Sequence, residues 1–148
     1  MTHISLRTNS CTCFLFAATA CNPDTVCMQN HDTGCAQSHW PFPRHGLEQG
    51  YCYILTHPGT PTVFYNHLYD QNKFPGVSDA VESLVAIRKR NNLCARSVVA
   101  IADFSDRHYA AIIDEKVAMR IGDDRYSPGA GWKLSASGDR WVVWEKED

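Results

Sequence analysis

Two short segments of this 148-residue chain place an imidazole directly after a stretch that reads as a strand. Val26-Cys27-Met28-Gln29-Asn30 runs into His31-Asp32-Thr33-Gly34, and Thr62-Val63-Phe64-Tyr65 runs into Asn66-His67. In a parallel barrel, functional groups gather where strands end and loops begin. A carboxylate beside an imidazole at such an end can stabilise a developing positive charge or bind hydroxyls. The same pair also fits a turn in which Asp32 caps the backbone above a packed His31, and spacing alone does not choose. Cys27, His31, Cys35 and His39 stand four apart and are zinc-ligand types. On one helix they would form a stripe roughly 18 Å long, too long for a single tetrahedral ion, and Thr33-Gly34 argues against a continuous helix there. Aromatic side chains offer a third chemistry, because the apolar C–H faces of sugar rings stack on them. Trp40 opens the loop Trp40-Pro41-Phe42-Pro43, while Tyr126, Trp132, Trp141 and Trp144 fall in strand-like text. The competing fate of a strand tryptophan is the core. Trp141 and Trp144 must point to opposite faces of one strand.

The elements that would position these groups follow from periodicity. Leu47, Tyr51, Ile54 and Leu55 recur at helical spacing, so a helix is expected over Leu47–Thr56, stopped by His57-Pro58-Gly59-Thr60-Pro61. β-branched and aromatic content predicts a strand over residues 62–65. The clearest helix carries Val77, Ala80, Val81, Leu84, Val85 and Arg88 on one face, with Ser78 and Asp79 as capping candidates. Arg88-Lys89-Arg90 closes it where the helix dipole favours cations. Residues 97–103, 108–113, 116–121, 131–134 and 140–144 read as strands of an antiparallel sheet. Asp114-Glu115 between two of them lacks the glycine that a two-residue hairpin favours.

Composition sets bounds. Hydrophobic residues make up 44% and charged residues 20%, which is globular composition. A complete eight-fold β/α barrel needs roughly 250 residues. The net charge of −2 speaks against a broadly basic nucleic-acid surface, and no apolar run reaches the roughly 20 residues a membrane helix requires. The chain is also uneven: residues 1–77 hold four carboxylates and three cations, against twelve and eleven in residues 78–148. Seven cysteines are an odd number without a CxxC pair, so no disulfide scaffold is evident. Residues 1–20 pass as a secretion signal or as an arbitrary leader.

Taken in order, Asn30-His31-Asp32-Thr33-Gly34, Trp40-Pro41-Phe42-Pro43, Gln49-Gly50-Tyr51, Tyr53-Ile54-Leu55-Thr56-His57-Pro58-Gly59-Thr60-Pro61, Phe64-Tyr65 and the terminal Trp144-Glu145-Lys146 resemble the last quarter of plant-type alpha-amylases. The resemblance covers residues 26–148 and leaves 1–25 unassigned. Gln29, Cys35, His39 and Asn66 stand where that family usually carries Asp, Ser, Met and Asp.

The resemblance implies an α/β plus all-β fold: the incomplete terminal quarter of a (β/α)8 barrel over residues 26–93, then a five-stranded antiparallel sheet domain over 94–148. It implies endo-hydrolysis of α-1,4-glucosidic bonds in starch with retention of configuration. By motif match Asp32 is the transition-state stabiliser, His31, Gln37 and Trp40 contact substrate, and Tyr126 lies near a surface sugar-binding position. Calcium is implied for the family, with its ligands outside these residues. A retaining glycosidase needs two carboxyl groups about 5–5.5 Å apart. The resemblance places both on earlier barrel strands, so these residues alone are expected to be inactive. Residues 26–93 are expected to lack rigid order without a partner that completes the barrel. A non-catalytic starch-binding module and a zinc module are the competing classes. The sequence does not indicate a compartment.

Overall fold

A computed structural model describes residues 25–27 and 42–147. Strand β1 (Thr25–Cys27) pairs in parallel with β2 (Thr60–Thr62), in the register Thr25 to Thr60 and Cys27 to Thr62. Between them in sequence a 3-10 turn at Arg44–Gly46 leads into helix α1 (Leu47–Thr56). Helices α2 (Tyr65–Tyr69) and α3 (Val77–Arg90) follow. The remaining strands, β3 (Val99–Phe104), β4 (His108–Ile113), β5 (Val117–Gly122), β6 (Trp132–Gly138) and β7 (Trp141–Lys146), form an antiparallel sheet in the order β3-β4-β5-β7-β6. Both outer strands slip register against their neighbours, β3 between Ile101 and Asp103 and β6 between Leu134 and Ala136.

Helix α1 is buried on nearly every face, from Leu47 through Gln49, Tyr51, Cys52, Ile54 and Leu55 to Thr56. An amphipathic stripe would suffice for a surface helix; burial all round marks a helix enclosed between layers. One side of α1 packs on β5 and β7, and another on α3. Helix α3 therefore covers α1 chiefly and reaches the sheet at β6. Buried Val77, Val81, Leu84 and Ile87 of α3 share one core with Ile113, Val117, Met119, Trp141 and Val143 of the sheet. The helices of residues 42–93 are thus packed against the strands of this same chain.

Polar contacts pin the helical layer to the sheet. Trp141 Nε1 donates to Glu48 Oε2 at 2.7 Å, and Gln49 Nε2 donates to the Asp139 carbonyl at 3.3 Å. A Cβ on Gly138 would stand 2.2 Å from Trp141 Nε1 and 2.3 Å from Glu48 Oε2, so that strand position has room only for glycine. At the far end of α3, Arg90 Nε donates to Glu145 at 2.7 Å, joined by Arg90 Nη2 and Asn91 Nδ2. These donors, Arg90 foremost, hold the Glu145 carboxyl down at about 2. His57 Nε2 meets Tyr109 Oη at 2.9 Å, linking the end of α1 to β4.

The exit from α1 is held by a single side chain. Arg88 Nη1 donates to the carbonyls of Leu55 (2.9 Å) and His57 (2.8 Å), and Nη2 donates to that of Gly59 (2.7 Å). The last carbonyls of a helix have no partner within it, and a planar guanidinium serves several at once.

Three sequence expectations shift. The strand expected at residues 62–65 lies at Thr60–Thr62, and Tyr65 begins a helix. The reason is tertiary: His67 is 1% exposed, with Nδ1 2.7 Å from Tyr51 Oη and its ring against Phe64 and Phe74. That burial requires a turn of helix and overrides strand propensity. Ser78 and Asp79 do not cap α3; Gly76 precedes it at φ +80°, and Ser78 Oγ accepts from Gln71 Nε2 instead. The Asp114-Glu115 hairpin forms without glycine, both residues at positive φ (50° and 56°). Asp114 is held there by Val98, whose N–H donates to Oδ1 at 2.7 Å and whose carbonyl accepts from the Asp114 N–H at 2.9 Å.

Replacing Arg88 with Met should lower unfolding free energy by about 3 kcal/mol, since charge-assisted hydrogen bonds contribute roughly 1.5–3 kcal/mol each and partial exposure reduces the sum; urea titration measures it. Acid should also destabilise the fold in two windows. Burial pushes His57 and His67 down to about 4 from 6.5, so the unfolded chain binds protons first as pH falls. Stability present above pH 6.5 then declines toward pH 4, by roughly 1–2 kcal/mol per histidine between pH 7 and 5. Glu145 adds a further loss below its ordinary 4.5. Urea midpoints that stay level from pH 7 to 5 would contradict the histidine part.

Candidate functional site

Asp32, His31, Gln37 and Trp40 lie outside the described residues, as do residues 1–20 and the zinc candidates His31, Cys35 and His39. Cys27 is in strand β1, not on a helix. What the structure supplies for the first four is the frame they follow. Because β1 and β2 run in parallel, the chain leaves both strands at the same end. From that end β1 continues toward His31 and Asp32, and β2 continues into α2. The β2 end is fixed by the Arg88 contacts just before Thr60 and by the Phe64 N–H donating to Tyr51 Oη at 3.3 Å.

Tyr126 is described, and it lies on the loop between β5 and β6. Its ring meets that of Trp144 edge-on, with centroids 6.3 Å apart and planes at 77°. Strand alternation explains this meeting. In β7, Trp141 and Val143 point into the core while Trp144 takes the opposite face; in β5, Arg120 takes that same outer face. Arg120 sits over the Trp144 ring at 5.9 Å and donates from Nη1 to the Tyr126 carbonyl at 3.2 Å. Burial, followed by the nearby Asp103 charge, raises the Tyr126 phenol above its ordinary value, which keeps it a neutral donor and acceptor. A cavity of about 320 Å³ opens beside this cluster, bordered by Arg120, Asp123, Asp124 and Arg140. Half-buried rings, a guanidinium and a neutral phenol together suit a polar ligand with an apolar face, stacked and hydrogen-bonded at once.

The other tryptophans divide as alternation requires. Trp141 is 1% exposed and engaged with Glu48, so it belongs to the core and not to a binding face. Trp132 is half-buried at the end of β6. Arg120 was not singled out from the sequence. The signal was present in the alternation of β5, where Val117, Met119 and Ile121 read inward and leave Arg120 facing outward.

A second polar constellation sits at the β3–β4 hairpin. Ser105 Oγ lies 2.8 Å from His108 Nδ1, and His108 Nε2 lies 2.9 Å from Asp103 Oδ2. Ser105 Oγ also accepts from the Arg107 N–H at 3.1 Å, and the Ser105 N–H donates to the His108 carbonyl at 2.8 Å. The hydroxyl is thereby committed to closing its own turn, which is what serine and aspartate do at such positions. Among the described residues no group of three or more His, Cys, Asp or Glu is placed to hold a metal ion.

Comparison with known proteins agrees with this arrangement. A profile of the alpha-amylase C-terminal beta-sheet domain matches residues 90–145. Probable alpha-amylase 2 of Arabidopsis thaliana is 46% identical over 120 residues, covering 80% of this chain and 29% of the relative. Alpha-amylase 3, chloroplastic, of Arabidopsis thaliana is 48% identical over 122 residues, covering 80% and 13%. Alpha-amylase type B isozyme of Hordeum vulgare is 40% identical over 123 residues, covering 80% of this chain and 77% of the relative. The chain spans less than a third of the length of the two Arabidopsis relatives. With the five-stranded sheet, the helical layer beneath it and these identities together, the chain belongs to the plant-type alpha-amylase family and corresponds to its C-terminal portion.

Proposed function

We propose that these residues supply the closing strands of a catalytic β/α barrel (26–93) and the C-terminal sheet (94–148) of an alpha-amylase that cleaves α-1,4 bonds in starch with retention of configuration. The observation that carries this reading is the parallel β1–β2 pair, two short strands running in one direction as neighbouring strands of a β/α barrel do. In this reading Asp32 stabilises the oxocarbenium-like charge that develops at the anomeric carbon, and His31 hydrogen-bonds sugar hydroxyls beside it. Gln37 and Trp40 hold the neighbouring glucose unit by hydrogen bonding and stacking. Retention requires a nucleophilic carboxylate and an acid/base carboxyl about 5–5.5 Å apart across the scissile bond. By motif neither is among these 148 residues, so the chain alone does not turn over starch.

A second reading, a starch-binding surface without catalysis of its own, is favoured by one separate observation. Tyr126, Trp144 and Arg120 gather on the outer face of the sheet, away from the barrel strands. The two readings are compatible, since a remote glucan contact can hold an enzyme on an insoluble substrate.

Purified chain should release no reducing ends from soluble starch. Co-expression with the barrel portion of a plant alpha-amylase that ends before the matched region should restore hydrolysis, and Asp32→Asn should reduce that restored rate by at least about a hundredfold, the scale of a lost transition-state electrostatic contact. Hydrolysis by the chain alone, or full restored activity in the Asn variant, would overturn the catalytic assignment. On granular starch the purified chain should be retained, and Tyr126→Ala or Trp144→Ala should lower retention several-fold. Equal retention by both variants would remove the outer face as a glucan contact.

A further inference from the structure

We infer that Tyr65 and Tyr69 form a second aromatic platform, one that stacks the rings of an α-glucan on the short helix that follows β2. The inference rests on the reading above and adds a contact that no motif carried. Tyr65 and Tyr69 are 67% and 66% exposed, an unusual state for two neighbouring aromatics. They stand four residues apart on α2, hence on one side of it, with ring centroids 4.3 Å apart and planes at 31°. Among the described residues neither hydroxyl has a hydrogen-bond partner.

The platform is rigid from below. His67, on the same short helix, is buried against Tyr51, Phe64 and Phe74, so the helix cannot turn its tyrosines inward without extracting that imidazole. Its surroundings favour a sugar over a protein partner. Asn66, Asp70, Gln71 and Asn72 flank the pair, and Lys73 is paired with Asp70 at 3.1 Å. A protein interface would be expected to extend into an apolar, charge-depleted patch. Two phenol rings within a polar rim instead match a pyranose, which has an apolar C–H face and a margin of hydroxyls. Helix α2 follows directly from β2, whose exit end is shared with β1.

Titration of the tyrosine-labelled chain with maltoheptaose, followed by NMR, tests this. The Tyr65 and Tyr69 ring signals should shift together in a saturable way. Tyr65→Ala and Tyr69→Ala should each weaken binding at that site about tenfold, Phe at either position should keep most of it, and the urea midpoint should stay unchanged because both rings are exposed. If Tyr126 signals respond while Tyr65 and Tyr69 stay still, the inference fails and the glucan-binding reading stands. If no tyrosine responds, both fail. If Tyr65 and Tyr69 shift but Ala variants bind as well as the parent, the stacking role is overturned.

Discussion

The carbonyl groups at the C-terminal end of α1 set the problem that the rest of this molecule solves. Helix α1 is buried on nearly every face, and the carbonyls of Leu55, His57 and the half-buried Gly59 at its exit have reduced access to water. An unpaired buried acceptor costs about 1–3 kcal/mol, and three in a row would leave the His57-Pro58-Gly59 exit without a defined path. Arg88 answers all three from a neighbouring helix. Because the guanidinium is planar and forked, satisfying them also fixes the direction in which the chain enters β2. Beyond that exit, the buried contact of His67 with Tyr51 holds α2 in turn.

A comparable economy joins the helices to the sheet. Trp141 is both the largest core side chain of β7 and a hydrogen-bond donor to α1, and Gly138 gives way so that Glu48 can reach it. At the opposite end Glu145 gathers Arg90 and Asn91 from α3. The sheet therefore presents one face to the helices and leaves the other to Tyr126, Trp144 and Arg120. Strand alternation divides the two tryptophans, turning Trp141 into the core and Trp144 to the opposite face.

The elements most legible in the sequence were those governed by local period. Helix α1 and helix α3 follow from apolar spacings of three and four, and the five later strands follow from alternation between turn residues. The parts that were misplaced depend on contacts distant in sequence. Residues 63–65 have strand propensity, yet His67 must reach the pocket formed by Tyr51 and Phe74, and only a helical turn takes it there. That misreading also hid the four-residue spacing of Tyr65 and Tyr69. Ser78 resembled a cap because its type suits one, but Gly76 with positive φ already redirects the chain. Asp114 tolerates a left-handed conformation without glycine because Val98 supplies a partner to both its backbone and its side chain. Motif order alone points to the segment around Asp32, which lies outside the described residues, whereas Arg120 is visible only with strands β5 and β7 side by side.

The register slips at the two margins of the sheet have a consequence of their own. Strands β3 and β6 each carry an irregularity midway along their length, between Ile101 and Asp103 and between Leu134 and Ala136. A bulge bends a strand and adds local twist, so its free side no longer offers a straight row of amides and carbonyls. With Ile101, Phe104 and Leu134 all exposed near those margins, a flat edge would template lateral stacking of one molecule on another. The kinks deny that template at both margins of the five described strands.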